Sequence, residues 1–160
     1  MFRLGIILIW LTMGGCMARP VSLMPEGARA VTVVRVIDGD TFVVEDGSDK
    51  GETVRLIGVD APETRRSAHR DIGHFGEEAK AYLTELLSGG QVFLAYDVGK
   101  RDRYRRTLAY AYLPDGTFVN AELVRRGFAT ALTVPPNVAQ ADLFTDLERE
   151  ARRKRRGLWK

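Results

Sequence analysis

The chain has 160 residues, 45% of them hydrophobic, and a net charge of +3 at neutral pH. That length holds one domain with a full core and excludes two ordinary ones. A single cysteine excludes an internal disulfide, and so modest a net charge is by itself weak support for a polyanionic partner.

At the N-terminus Arg3 is followed by the apolar run Leu4 to Leu11 and then Thr12-Met13-Gly14-Gly15-Cys16. A short basic start, an apolar stretch too short to span a bilayer comfortably, and small residues before a break describe a secretory signal. With the cysteine directly after Gly14-Gly15, the segment resembles a bacterial lipoprotein signal, in which that cysteine becomes the lipid-bearing first residue. Residues 1–16 are therefore expected to form a signal peptide ending in a lipidated Cys16. Residues 17–29, with Pro20, Pro25, Gly27 and no clear period, read as a tether, and 30–160 as the domain. Export to the cell envelope, with the membrane as a partner through the lipid, is the expectation.

Val and Ile alternate with polar residues over Ala30 to Val36, Thr41 to Glu45 and Thr53 to Ile57, which suits a curled sheet with one buried face. Asp46-Gly47-Ser48-Asp49-Lys50-Gly51 supplies the turn between the second and third runs. Thr64 to Ile72 is polar and basic. Helix is predicted from about Gly73, with Phe75, Ala79, Tyr82, Leu83, Leu86 and Leu87 on one face and Gly89-Gly90 as its stop. Gln91 to Tyr96 and Leu108 to Leu113 are two further strands, and Asn120 is placed to cap a short helix stopped at Gly127. After Pro135-Pro136 a last helix carries Leu143, Leu147 and Ala151 as its stripe. Its arginine-rich end offsets the helix dipole, and Leu158 with Trp159 are expected to fold back onto the domain. The class is α+β, mainly β. A five-stranded Greek-key barrel with three helices fits this order, although the pattern alone leaves other α+β arrangements open.

Two acidic clusters stand at predicted strand ends: Asp38-Gly39-Asp40-Thr41 and Asp60-Ala61-Pro62-Glu63. Asp-Gly is a common hairpin turn, so either cluster alone is most often punctuation. Together, in a curled sheet, they bring Asp40 and Asp60 to one place, where two carboxylates need a proton or a cation between them. A hard cation such as calcium takes such oxygens, together with backbone carbonyls like that of Thr41. No His/Cys spacing suggests zinc, and His69 and His74 lie in a basic loop where solvent exposure is expected. Pro62 lets Glu63 point away from Asp60, toward a water it can orient or deprotonate. Arg55 and Arg106 each begin an apolar run, and their planar forks match phosphate oxygens in pairs. Each is equally able to pair with a carboxylate of the acidic clusters. Arg65, Arg66, Arg70, Lys100, Arg101, Arg103 and Arg105 crowd the same loops.

These segments resemble the signature stretches of the staphylococcal nuclease (thermonuclease) family: Ile37-Asp38-Gly39-Asp40-Thr41, Arg55-Leu56-Ile57-Gly58-Val59-Asp60-Ala61-Pro62-Glu63, and Asp102-Arg103-Tyr104-Arg105-Arg106-Thr107-Leu108-Ala109-Tyr110. The resemblance runs from about Val31 to Trp159. It implies an OB barrel and endonucleolytic cleavage of DNA and RNA by water, with a calcium cofactor and 3′-phosphate products. It also implies that Asp40, Asp60 and the Thr41 carbonyl hold the metal, that Arg55, Glu63 and Arg106 are catalytic, and that Tyr104 packs against the bound nucleotide. A monomer is expected. Ala61 stands where the family often has threonine, and Arg105 where it commonly has glycine, which would change the backbone that aims Arg106. Residues 131–137 lack the tyrosines that often line the substrate pocket. The competing reading is a non-catalytic OB-fold envelope lipoprotein that grips nucleic acid or a protein. Such relatives typically lack the acids or the arginines, all of which stand here. For the N-terminal segment the expectation is direct: Cys16→Ser releases the protein from membranes on fractionation, whereas unchanged retention points to an ordinary anchor.

Overall fold

A computed structural model describes residues 24–64 and 75–160. The expected signal segment with Cys16 and most of the tether lie outside the described residues, as do Arg65, Arg66, His69, Arg70 and His74.

The alternating runs form strands β1 (Arg29–Asp38), β2 (Thr41–Val44) and β3 (Glu52–Leu56), followed by the short β4 (Val59–Asp60). Helix α1 (Gly76–Leu86) leads to β5 (Gln91–Ala95) and β6 (Thr107–Tyr112), then α2 (Val119–Arg126), β7 (Thr130–Ala131) and α3 (Ala141–Arg153). Five strands close a barrel in the order β1-β2-β3-β6-β5, with β5 returning to β1. All its pairings are antiparallel except β3 with β6. This is the OB-type barrel with three helices that the sequence suggested.

Apolar side chains on the inner face of the barrel, among them Phe42, Val54, Leu56, Val92, Leu94 and Ala109, are buried together with Ala79 and Leu83 of α1 and Leu123 and Val124 of α2. Strand β2 departs from simple alternation, because all four of its residues are buried. The turn before β3 folds over it so closely that a Cβ at Gly51, itself at φ +70°, would overlap Val43. β4 and β7 pair Val59 with Ala131 and Asp60 with Thr130. Two residues each are too few to show a period, so the sequence did not reveal them.

Two expectations need correction. Phe144, Leu147 and Ala151, not Leu143, make the buried stripe of α3, and Leu143 is exposed. Spacings of three and four hold one helical face, whereas successive steps of four drift around it. Phe144 reaches β3–β4, where a Cβ on Gly58 (φ +77°) would overlap its ring. Asn120 does not cap α2: that helix begins after Phe118, and Asn120 is fully buried inside it. Its side-chain oxygen accepts from Ala111 N–H at 2.9 Å, and its amide nitrogen donates to the Ile57 carbonyl at 2.8 Å. One amide thus ties α2 to β6 and to the β3–β4 connection, satisfying backbone groups that burial removes from water. At the C-terminus Leu158 N–H donates to the Gly127 carbonyl at 2.9 Å, and the Arg152 guanidinium lies 3.9 Å from the Trp159 ring centroid.

Replacing Asn120 by alanine leaves two buried backbone groups unpaired, each worth about 1–3 kcal/mol. Denaturant unfolding of Asn120→Ala is expected to show a loss of at least ~2 kcal/mol; an unchanged midpoint would refute the bracing role.

Candidate active site

The two acidic turns meet because small residues let them. Gly39, in the β1–β2 turn, sits so near Ala61 and Ala79 that a Cβ there would lie 2.6 Å from the first and 2.8 Å from the second. Ala61 N–H donates to Asp40 Oδ2 at 2.8 Å, which couples the turns directly. On the far side of Pro62, the backbone of Pro62 and Glu63 packs on Gly76 of α1 with no room for a side chain. Glu63 is thereby set against a rigid helix start.

Arg55 projects from β3 between the two turns. One Nη pairs with Asp40 Oδ1, and the other with Asp60 Oδ1 at 2.7 Å. The same fork therefore holds both carboxylates, the second of the two arrangements open from sequence. Asp40 is 1% exposed and Asp60 36%. Burial pushes the Asp40 carboxyl above its ordinary value, against the opposing pull of Arg55, the Ala61 N–H and the Thr41 hydroxyl.

A cleft of about 1070 Å³ opens in front of this pair, and Arg55, Asp60, Glu63, Tyr104 and Arg106 all line it. Five of the sequence-predicted residues are thus brought together. Asp40 and Thr41 are buried rather than lining. The Thr41 hydroxyl donates to Asp40 Oδ1 at 2.9 Å, and Leu56 N–H donates to the Asp40 carbonyl at 2.9 Å.

Arg106 is held differently from Arg55. It pairs with Asp102, not with the acidic turns, through Nε to Oδ2 at 2.7 Å. Arg106 and Tyr104 also donate their backbone N–H groups to Asp102 Oδ1. Burial pushes the Asp102 carboxyl up, but the bonds from Arg106 outweigh it and hold that carboxyl below its ordinary value. Arg105 takes φ +65°, so the loop keeps a left-handed turn even with a side chain where glycine is common. Tyr104 stands 64% exposed at the rim, with the Arg103 and Arg106 guanidiniums 4.7 and 5.4 Å from its ring centroid. Opposite lie Leu132, Val134, Pro135 and Pro136, an aliphatic wall in place of tyrosines. Asn137 clips the two walls, accepting from Gly99 N–H at 2.7 Å and donating to the Gly99 carbonyl at 2.8 Å. The sequence reading missed Asp102 and Asn137; Asp102 at four residues before Arg106 was the one visible signal.

The donor set suits a hard cation. Two carboxylates meet on one guanidinium, and among the described residues no cluster of three carboxylate, imidazole or thiolate side chains forms. A cation here would draw the rest of its shell from carbonyls and water, as calcium and magnesium do.

Fold and cleft together define a small OB-barrel protein that sets paired acids and two guanidiniums around one opening. A family model described as staphylococcal nuclease homologue matches residues 53–160. The chain is 41% identical over 128 residues to a thermonuclease of Staphylococcus intermedius, covering 79% of this chain and 74% of that one. It is 36% identical over 127 residues to a thermonuclease of Staphylococcus hyicus, covering 79% and 73%. With endonuclease YncB of Bacillus subtilis (strain 168) the identity is 39% over 132 residues, covering 81% and 61%. The chain belongs to the staphylococcal nuclease family.

Gly39→Ala is expected to push the acidic turns apart, costing about 1–3 kcal/mol by overpacking. Thermal unfolding with a parallel cleavage assay checks this; full stability and activity together would show that the contact does not set the site.

Proposed function

We propose that the protein is a calcium-dependent endonuclease that hydrolyses phosphodiester bonds in DNA and RNA and leaves 3′-phosphates. The observation that carries this reading is the convergence of Arg55, Asp60, Glu63 and Arg106 on one cleft, in a chain of this family. Calcium, held by the carboxylates of Asp40 and Asp60, would supply a Lewis-acidic charge against a phosphate oxygen and share those carboxylates with Arg55. Glu63 takes the role of general base or water-orienting group, since it lines the cleft beside Asp60. Arg106 and Arg55 offer forked donors to the oxygens on which charge develops as water attacks phosphorus. Tyr104, exposed at the rim, offers a ring face for a base or sugar. The aliphatic wall around Leu132 and Val134 makes few directed bonds, which suits loose base preference. Export through the N-terminal segment, lipid attachment at Cys16 and a monomeric state belong to the same proposal and rest on sequence.

Purified domain incubated with plasmid and with RNA, in calcium and in chelator, tests the reaction: degradation is expected with calcium only. Glu63→Gln and Arg106→Ala are each expected to slow cleavage about a hundredfold or more while circular dichroism stays native. Full activity in both variants would refute the residue roles.

A further inference from the structure

The loop that carries Arg106 is closed on itself by one side chain. Asp102 N–H donates to the Arg106 carbonyl at 3.1 Å, and Arg105 N–H donates to the Asp102 carbonyl at 3.0 Å. The two carboxylate oxygens of Asp102 then divide their work. Oδ1 accepts the backbone N–H groups of Tyr104 at 2.9 Å and Arg106 at 3.0 Å, which fixes the turn. Oδ2 accepts the Arg106 Nε–H at 2.7 Å, which fixes the side chain. Asp102 is 17% exposed and Arg106 31%, so the bond is partly withdrawn from water at the cleft wall.

An arginine held at Nε loses the freedom to swing about its terminal torsions but keeps both Nη groups for another partner. That is the arrangement in which a planar fork meets two phosphate oxygens without reordering when charge develops. We propose that Asp102 is the positioning residue for the reaction, gripping Arg106 by its Nε edge so that the Nη pair is presented to the scissile phosphate. This inference rests on the nuclease reading above.

Asparagine at this position separates the two functions of the carboxylate. Its oxygen still accepts the backbone N–H groups and keeps the turn, whereas its NH₂ opposes the Nε–H and cannot bond it. Steady-state cleavage of plasmid in calcium is compared for wild type, Asp102→Asn, Arg106→Ala and the double variant. Asp102→Asn is expected to lower kcat about 10- to 100-fold, with KM changed less than about threefold and the thermal midpoint little moved. In the Arg106→Ala background the same change is expected to add less than about twofold, because its effect passes through Arg106. Unchanged kcat in Asp102→Asn, or losses that multiply in the double variant, would overturn the positioning role. Wild type that cleaves nothing would instead overturn the nuclease reading. Should Asp102→Asn fail to fold, the wild-type Nε–H resonance of Arg106, assigned by its loss in Arg106→Ala, decides the matter. Protection from solvent exchange is expected, and exchange as fast as in free arginine would sink the proposal.

Discussion

The ion pairs of Arg55 with Asp40 and Asp60 join three separate stretches of chain at one point. Asp40 is buried on the turn between β1 and β2, Arg55 is anchored in β3, and Asp60 lies in β4. Burying a carboxylate this deeply is unfavourable unless charge and hydrogen bonds compensate it. Arg55, Ala61 N–H and Thr41 Oγ1 supply that compensation together. Removing the guanidinium alone would strand the buried carboxylate, a loss of the kind that costs about 3–5 kcal/mol. The geometry of the cleft therefore depends on a contact that also ties β3 to both acidic turns.

Around that contact the site is built from unreactive parts. Gly39, Ala61 and Ala79 bring the acidic turns and α1 within touching distance, and Gly76 admits the backbone that carries Glu63. Asn120 braces the β3–β4 connection from below, while Phe144 presses on Gly58 from α3. The two arginines are secured by different means. Arg55 is held by the acids themselves, in a nearly buried setting. Arg106 is held by a carboxylate of its own loop, at the more open wall. Two guanidiniums with independent restraints can face the same phosphate without competing for one counter-ion.

Much of this was legible in the chain. Five strands and three helices followed from periodicity and turn residues, and Asp40, Arg55, Asp60, Glu63 and Arg106 were recognisable as types suited to phosphate chemistry. The misreadings have a common origin. Asn120 looked like a cap because its residue type favours caps, yet the barrel needed a buried amide there. Leu143 looked like core because leucine usually is, but Phe144 had the ring that fills the space over Gly58. β4 and β7 were too short to carry any pattern.

Sequence by itself determined which residues alternate into strands, where turns interrupt them, and which side chains carry charge suited to a phosphate diester. These are local properties, written in spacing and residue type. Tertiary structure decided that Arg55 takes Asp40 as a partner, because barrel closure sets the distance between strands β2 and β3. Arg106 and Asp102 pair within one loop, and the fold decided only that this loop lines the same cleft as Arg55. Electrostatic pairing falls off with distance and solvent exposure, and neither is fixed until the backbone has closed.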